Sequence, residues 1–243
     1  KEMQAQRVKN FLNCQIMDQM KEYETDFDQM LFYLPLSGST FKKVYYDDLL
    51  GRAVSKFVPA DDLVVPYTAT SLDDAESVIH VVKMSENDLR KQMLSGFYSD
   101  IELTKPTGTV TNELEDKERE VEGVTKSQRT DPLYTILECH VDLDLEGFED
   151  LGPDGEPTGI KLPYVVTVEE GSRKVLSIRR NFAPNDPKKN KIQYFVHFKF
   201  LPGLGFYGLG LIHMIGGLSR TATAALRQLL DAGTLSNLPA GFK

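Results

Sequence analysis

Residues 194–242, YFVHFKFLPGLGFYGLGLIHMIGGLSRTATAALRQLLDAGTLSNLPAGF, change from a strand pattern to a helix pattern across a glycine-dense bend. Tyr194, Val196, Phe198 and Phe200 alternate with Gln193, His197 and Lys199, so a period of two predicts an extended segment with an apolar and a polar side. Pro202 ends it, and Gly203, Gly205, Gly208 and Gly210 follow at once. From Leu209 to Leu230 the period becomes that of a helix with three faces. Leu211, Ile215, Leu218, Ala222, Leu226 and Leu229 form an apolar stripe expected to pack within the chain. Almost opposite lie His213, Gly216, Arg220, Thr223 and Arg227. A third line, Gly210, Gly217, Thr221 and Ala224, is small enough to admit a neighbouring backbone and forms the candidate helix–helix contact. The Gly216–Gly217 pair predicts a weakened or bent helix, and Gly233 predicts its end.

Gly203-Leu-Gly-Phe-Tyr-Gly208 also fits G-x-G-x-x-G, the spacing with which a dinucleotide-binding turn approaches a pyrophosphate. Pro202 stands directly before the first glycine, and no parallel strand follows the helix. Asp231, where a ribose-binding acid would fall, is still on the helix rather than at a strand end. A tight strand-to-helix corner is the favoured reading. A dinucleotide-dependent enzyme centred on Gly203–Gly208 stays as the alternative.

The 243 residues suffice for one large domain or two modest ones, with 41% hydrophobic and 26% charged residues. No apolar run is long enough for a membrane span, and no signal-peptide pattern opens the chain. Cys14 and Cys139 are too few and too distant for a disulfide framework or a zinc site, which favours a reducing compartment. A net charge of −8 argues against a protein that grips nucleic acid by neutralising phosphates. The charge is uneven. Residues 173–199 hold eight bases and one acid, about +7, leaving about −15 on the rest. Arg173, Lys174, Arg179, Arg180, Lys188, Lys189 and Lys191 are therefore candidates for contact with acidic partners or phosphates, and a solvated hairpin face is the plain alternative.

In chain order, residues 1–34 read as one long helix whose stripe of Val8, Leu12, Ile16, Met20, Tyr23, Phe27, Met30 and Leu34 is expected in the core, with Pro35 as its end. Thr40–Tyr46, Ala53–Phe57, Leu63–Val65 and Ser77–Met84 read as strands. Ser85 caps a short helix closed by Gly96. Residues 105–130 are rich in charge and poor in large apolar side chains, a linker or a solvated helix. From Tyr134 to Leu145 a strand alternates, placing Glu138, His140, Asp142 and Asp144 on one face, where imidazole and carboxylates at period two can converge on a metal. An ordinary polar strand face is the base expectation, and no metal or cofactor is assigned. Tyr164–Val168 and Lys174–Arg180 form a hairpin in which Gly171 is expected to supply the positive φ of the turn. The first residue is not methionine and the last lie in a Pro-Ala-Gly loop, so a fragment, or an ordered core without its flanks, is expected.

Three stretches together resemble one family. HFKFLPGLGFYGLGLIHMIGGLSRTATAALRQLLDAGTLSNLPAGFK (197–243), GSTFKKVYYDDLLGRAVSKFVPADDLVVPY (38–67) and LPYVVTVEEGSRKVLSIRRNF (162–182) are similar to bacteriophage portal proteins, the head-to-tail connectors, of the short-tailed phage type. The resemblance implies an α+β subunit with a wing-like α+β region over 1–104, a charged linker or first stem helix over 105–130 and a clip-like β-rich region over 131–201. A channel-lining stem helix over 202–231 and the start of a tunnel loop over 232–243 complete it. It implies a structural, non-enzymatic virion protein, assembled in the host cytoplasm into a homo-oligomeric ring, usually a dodecamer, at one capsid vertex. Double-stranded DNA passes through such a ring during packaging and ejection. Its partners would be a packaging motor, scaffold or capsid proteins and tail adaptors, with no membrane. Arg220, Thr223 and Arg227 would then face DNA or a neighbouring subunit, with simple solvent exposure as the alternative. A monomeric module that binds acidic partners through 173–199 is the remaining reading.

Overall fold

The computed structural model describes residues 2–104, 117, 133–151 and 154–237. Two compact units arise, one from 1–47, 51–60 and 195–243, the other from 48–50 and 61–194. These units cut across the segments 1–104 and 131–201. Strands from both segments share one sheet, because pairing rather than sequence distance sets sheet membership. Residues 105–130, apart from Lys117, and 238–243 lie outside the described residues.

In the first unit, α1 (Glu2–Asn13) widens into a stretch of π-helix (Cys14–Gln19), breaks at Met20, and resumes as α2 (Tyr23–Ser37). The single helix expected over 1–34 is thus two. Its expected stop is also corrected: Pro35 sits inside the last turn, and the chain leaves the helix at Gly38, at φ 88°. The stripe expected in the core enters it only from Ile16 onward, where Ile16, Tyr23, Phe27 and Leu34 are half-buried. Met20 and Met30 are buried, whereas Val8 and Leu12 are exposed and no residue of α1 is buried.

What holds α2 is polar as much as apolar. Glu22 takes both guanidinium nitrogens of Arg52 at 2.8 Å, and the Asp26 carboxylate accepts the N–H of Phe57 at 2.9 Å. The Arg52 guanidinium holds the Glu22 carboxyl below its ordinary range. Lys42 is buried with its ammonium 4.2 Å from the centre of the Tyr23 ring and 5.1 Å from that of Phe27. Burial lowers its pKa, and Asp26 opposes that shift. The aromatic faces thus take the place of water around a desolvated cation.

The sheet of this unit runs β2-β1-β8, with β1 (Ser39–Asp47) between β2 (Arg52–Pro59) and β8 (Phe195–Lys199), all antiparallel. The parity expected for β8 is reversed. Phe195 is buried and His197 half-buried, while Val196 and Phe200 are exposed. Pairing with β1 sets Phe41 opposite His197, and this fixes which side of β8 enters the core.

The second unit is a five-stranded antiparallel sheet, β3-β4-β5-β6-β7, built from Leu63–Val64, Ser77–Met84, Tyr134–Leu143, Leu162–Glu169 and Lys174–Arg180. Helix α3 (Glu86–Leu94) starts where the Ser85 hydroxyl accepts the N–H of Asp88, the cap read from the sequence. Leu89 and Met93 of α3 join Tyr98, Tyr134, Ile136 and Leu176 in the core. Residues 97–102 run along the outer edge of β7. The Ser99 N–H donates to Leu176 O at 2.8 Å, and the Arg179 guanidinium lies 3.5 Å from the centre of the Phe97 ring. An edge strand is thereby screened from pairing with another chain. In the β6–β7 hairpin the positive φ belongs to Arg173, at 55°, rather than to Gly171. The Glu169 carboxylate accepts the N–H groups of Gly171 and Ser172 and so shapes the turn without a left-handed glycine.

Candidate functional site

The glycine corner is closed by the chain's own backbone. A Cβ on Gly210 would lie 2.2 Å from Leu36 O, one on Gly208 2.5 Å from Gly38 O, and one on Gly203 2.5 Å from Tyr207 O. Real Cβ atoms do not approach backbone so closely, so these positions exclude every side chain. The amides are committed as well. Gly208 N–H donates to Ser39 Oγ at 2.7 Å, Leu209 N–H to Leu201 O at 2.8 Å, and Gly210 N–H to His213 Nδ1 at 3.2 Å. The last contact makes His213 the cap of the helix that follows, reaching back to the residue before its first turn. A pyrophosphate would need these glycine surfaces and amides, and a dinucleotide fold would need parallel strands. Every strand pair described is antiparallel. Of the three motif glycines, Gly203 and Gly208 are thus closed by backbone and Gly205 is open, and the antiparallel strands do not form the parallel arrangement of a dinucleotide fold.

An aromatic stack ties this corner to β1. The His197 ring meets Phe41 and Phe206 at centroid distances of 4.4 and 4.7 Å, and these two rings also meet each other at 5.9 Å, so the three form a mutual cluster. The His197 Nε2 is 3.2 Å from the Ser39 hydroxyl, which also accepts the Gly208 N–H. Burial, reinforced by the charge of Lys199, pushes the His197 pKa from 6.5 down to about 4. The unfolded chain takes up this proton near pH 6.5 and the folded chain only near 4, so within that window the folded state binds fewer protons. The stability His197 confers is complete above the upper value and is lost as pH falls toward the lower one. His197→Phe keeps the stack without the titration. Urea midpoints measured from neutral pH down to pH 4 are expected to fall less steeply for this variant than for the parent, and equal slopes would refute the assignment.

Beyond the corner, α4 (Leu211–Asn237) is one helix of 27 residues. It runs through Gly216–Gly217 unbroken and passes Gly233, the expected stop. The apolar stripe expected to pack within the chain does not do so. Ile215, Leu218, Leu226 and Leu229 are 53–73% exposed, so among the described residues nothing covers them. Gly216, Ser219, Arg220, Thr223, Ala224 and Arg227 line an open concavity of about 670 Å³ on the opposite side. This brings Arg220, Thr223 and Arg227 together as expected from their spacing. The guanidinium-bearing residues are seven apart, about 10 Å along the axis. Thr223 turns its hydroxyl onto Ser219 O and Thr221 onto Gly217 O, while Arg220 and Arg227 make no hydrogen bond or ion pair among the described residues. Of the small-residue line, Thr221 and Ala224 are exposed and Gly217 has open space around it. Gly210 is not available to another helix, since Leu36 and Gly38 of the same chain fill its surroundings.

The basic residues of 173–191 are largely used inside their own unit. Lys174 donates to Glu102 O at 2.6 Å, Arg179 to Phe97 O at 3.0 Å and Lys191 to Ala75 O at 3.3 Å. Lys189 pairs with Asp150, and Arg180 lies over the Phe148 ring. The side chains of Arg173 and Lys188 make no such contact among the described residues. On the polar face of β5, Glu138 bonds His140 at 2.8 Å, and His140 is buried against the ring of Tyr194. Asp142 and Asp144 are exposed further along the chain. Among the described residues no three His, Cys, Asp or Glu side chains are placed to hold a metal ion. No helix among them is long and apolar enough to cross a membrane.

The sequence reading missed the root of α4: Gly38, Ser39, Phe41, His197 and Phe206. One signal was present, a glycine between a helix and a strand, but its partner lies about 170 residues away. What the geometry defines is a long helix fixed at its root and, among the described residues, uncovered from Leu218 to Ser236. Residues 16–241 match the family described as phage SU10 portal protein, and no curated protein matches the chain. The chain belongs to this portal family of bacteriophages, and its role there is structural.

Proposed function

We propose that the chain is one subunit of a closed ring at a capsid vertex through which double-stranded DNA enters and leaves the virion. The observation that carries this reading is α4. Its root is locked by backbone contacts, its apolar stripe is exposed, and its charged residues, Arg220, Arg227 and Asp231, all lie on the side opposite that stripe. An apolar face of this length is stable in water only when covered. In a ring it is covered by sister helices, with Thr221 and Ala224 allowing close approach. The charged face then remains for the channel, where two arginines per subunit touch phosphates without the dense basic surface that would hold DNA fast. Closed rings join two different surfaces of each subunit, and twelve copies is the number the family resemblance implies. The β-rich segment 131–201 corresponds in this reading to the clip, and Arg173 and Lys188 are free to meet packaging, scaffold or tail proteins. The assembled ring belongs to the virion and forms in the host cytoplasm.

Sedimentation and negative-stain imaging of the complete protein test the reading. A ring is expected, and a persistent monomer refutes it. Leu226→Asp is expected to lower the oligomeric mass. Arg220→Glu with Arg227→Glu is expected to leave rings intact and reduce the DNA retained in particles. Rings lost with the arginine pair and kept with Leu226→Asp would reverse the two faces.

A further inference from the structure

At the corner and within α4 the glycines differ in what faces them inside the chain. Gly203, Gly208 and Gly210 at the corner each have backbone where a Cβ would be. Around Gly217 nothing lies within 4 Å, and Gly216 has only Ile212 Cγ2, at 3.9 Å. Neither adopts a positive φ. Within the chain, neither close approach nor backbone conformation asks for glycine at two successive positions inside a helix, where it loosens the backbone. Just beyond the pair, Thr221 Oγ1 bonds Gly217 O at 3.0 Å and Thr223 Oγ1 bonds Ser219 O at 2.8 Å. A hydroxyl that shares a carbonyl with the helical ladder weakens that rung and favours a bend. These features fall within residues 216–223. Below them the root is clamped by Gly38, Gly208 and Gly210, and above them every residue from Leu218 to Ser236 is exposed.

We infer that Gly216–Gly217 is a bending point on which the distal part of α4, from Leu218 onward, swings relative to its fixed root. This goes beyond the ring reading and does not depend on it. The root contacts lie within one chain, and the loosened rungs belong to the helix itself. A long helix with a rigid base and one soft turn moves its far end by a large distance for a small change in dihedral angles at that turn. In a subunit that borders a passage, such motion alters the width at the distal end while the base stays in place.

Hydrogen exchange read by mass spectrometry on the complete protein tests the inference. Amides of 218–223 are expected to exchange on the order of tenfold faster than those of 226–232. Gly216→Ala with Gly217→Ala is expected to erase that difference and raise the melting temperature, since neither added methyl meets an atom of the chain closer than 3.9 Å. Gly233→Ala, at another glycine with nothing within 4 Å, is expected to raise the melting temperature without changing exchange at 218–223. Uniform exchange along the parent helix overturns the bending point, as does a difference that survives the alanine pair. A lower melting temperature or lost assembly with the alanine pair also overturns it, and shows instead that the glycines seat another chain.

Discussion

Gly38→Ala is expected to lower stability by about 4 kcal/mol or more and to detach α4 from its root. Two separate penalties fall on this methyl group. Gly38 sits at φ 88°, a conformation L-residues rarely adopt, and its Cβ would lie 2.3 Å from Gly210 N and 2.5 Å from Leu209 C. The obstacle is backbone on both counts, so no rotamer change relieves it. Either the end of α2 moves or the corner does. Moving the corner lengthens the Gly208 N–H to Ser39 Oγ bond and the Phe200 N–H to Gly38 O bond, now 2.7 and 3.0 Å. Gly205→Ala is the matched control, because nothing lies within 4 Å of its Cβ and its φ is ordinary. Urea midpoints should drop sharply for Gly38→Ala and hardly move for Gly205→Ala. Similar midpoints for the two would show that the corner is not the anchor described here.

Phe41→Ala is expected to cost about 3–5 kcal/mol, the range for removing a fully buried aromatic ring. Phe41 has no exposed surface and sits in the middle strand of its sheet, opposite Val58 on one side and His197 on the other. Its ring touches both His197 and Phe206, at centroid distances of 4.4 and 5.9 Å. Deleting it leaves a void on one face of His197 and removes the surface that locates Phe206, and with it the corner. Phe41→Leu refills much of the volume without the flat face and is expected to lose less than half as much. The steepness of the urea transition should stay as in the parent if only packing is lost. A loss below about 1 kcal/mol for Phe41→Ala would place the core of this unit elsewhere.

Much of the element pattern was readable before any coordinates. Ser77–Met84 follows alternation, α3 follows from its serine cap, and the hairpin of β6 and β7 from two strand patterns around a polar turn. Each depends on residues within a few positions of one another, where local propensity and capping act directly. Errors came where a distant partner overrides the local pattern. The parity of β8 is set by β1, more than 150 residues earlier, and the termination of α2 by a glycine whose neighbours are Leu209 and Gly210. Lys174, Arg179, Lys189 and Lys191 of the basic stretch also contact Glu102, Phe97, Asp150 and Ala75 in the same unit, which spacing could not reveal.

The sequence alone determined that a strand, a glycine corner and an amphipathic helix follow one another from 194 to about 230, and it carried the resemblance to portal proteins; the continuation of the helix to Asn237 is seen only in the structure. The tertiary structure alone decided what the glycines are for. Spacing records that a side chain is missing, but only the atoms facing the vacant position tell whether backbone stands there, as at Gly208 and Gly210, or the chain leaves the space open, as at Gly216 and Gly217, where we infer a bending point. Likewise an apolar stripe is the same in sequence whether its own chain or another covers it. Its exposure along α4 is a property of the folded chain, since burial depends on what surrounds a face as well as on the residues within it.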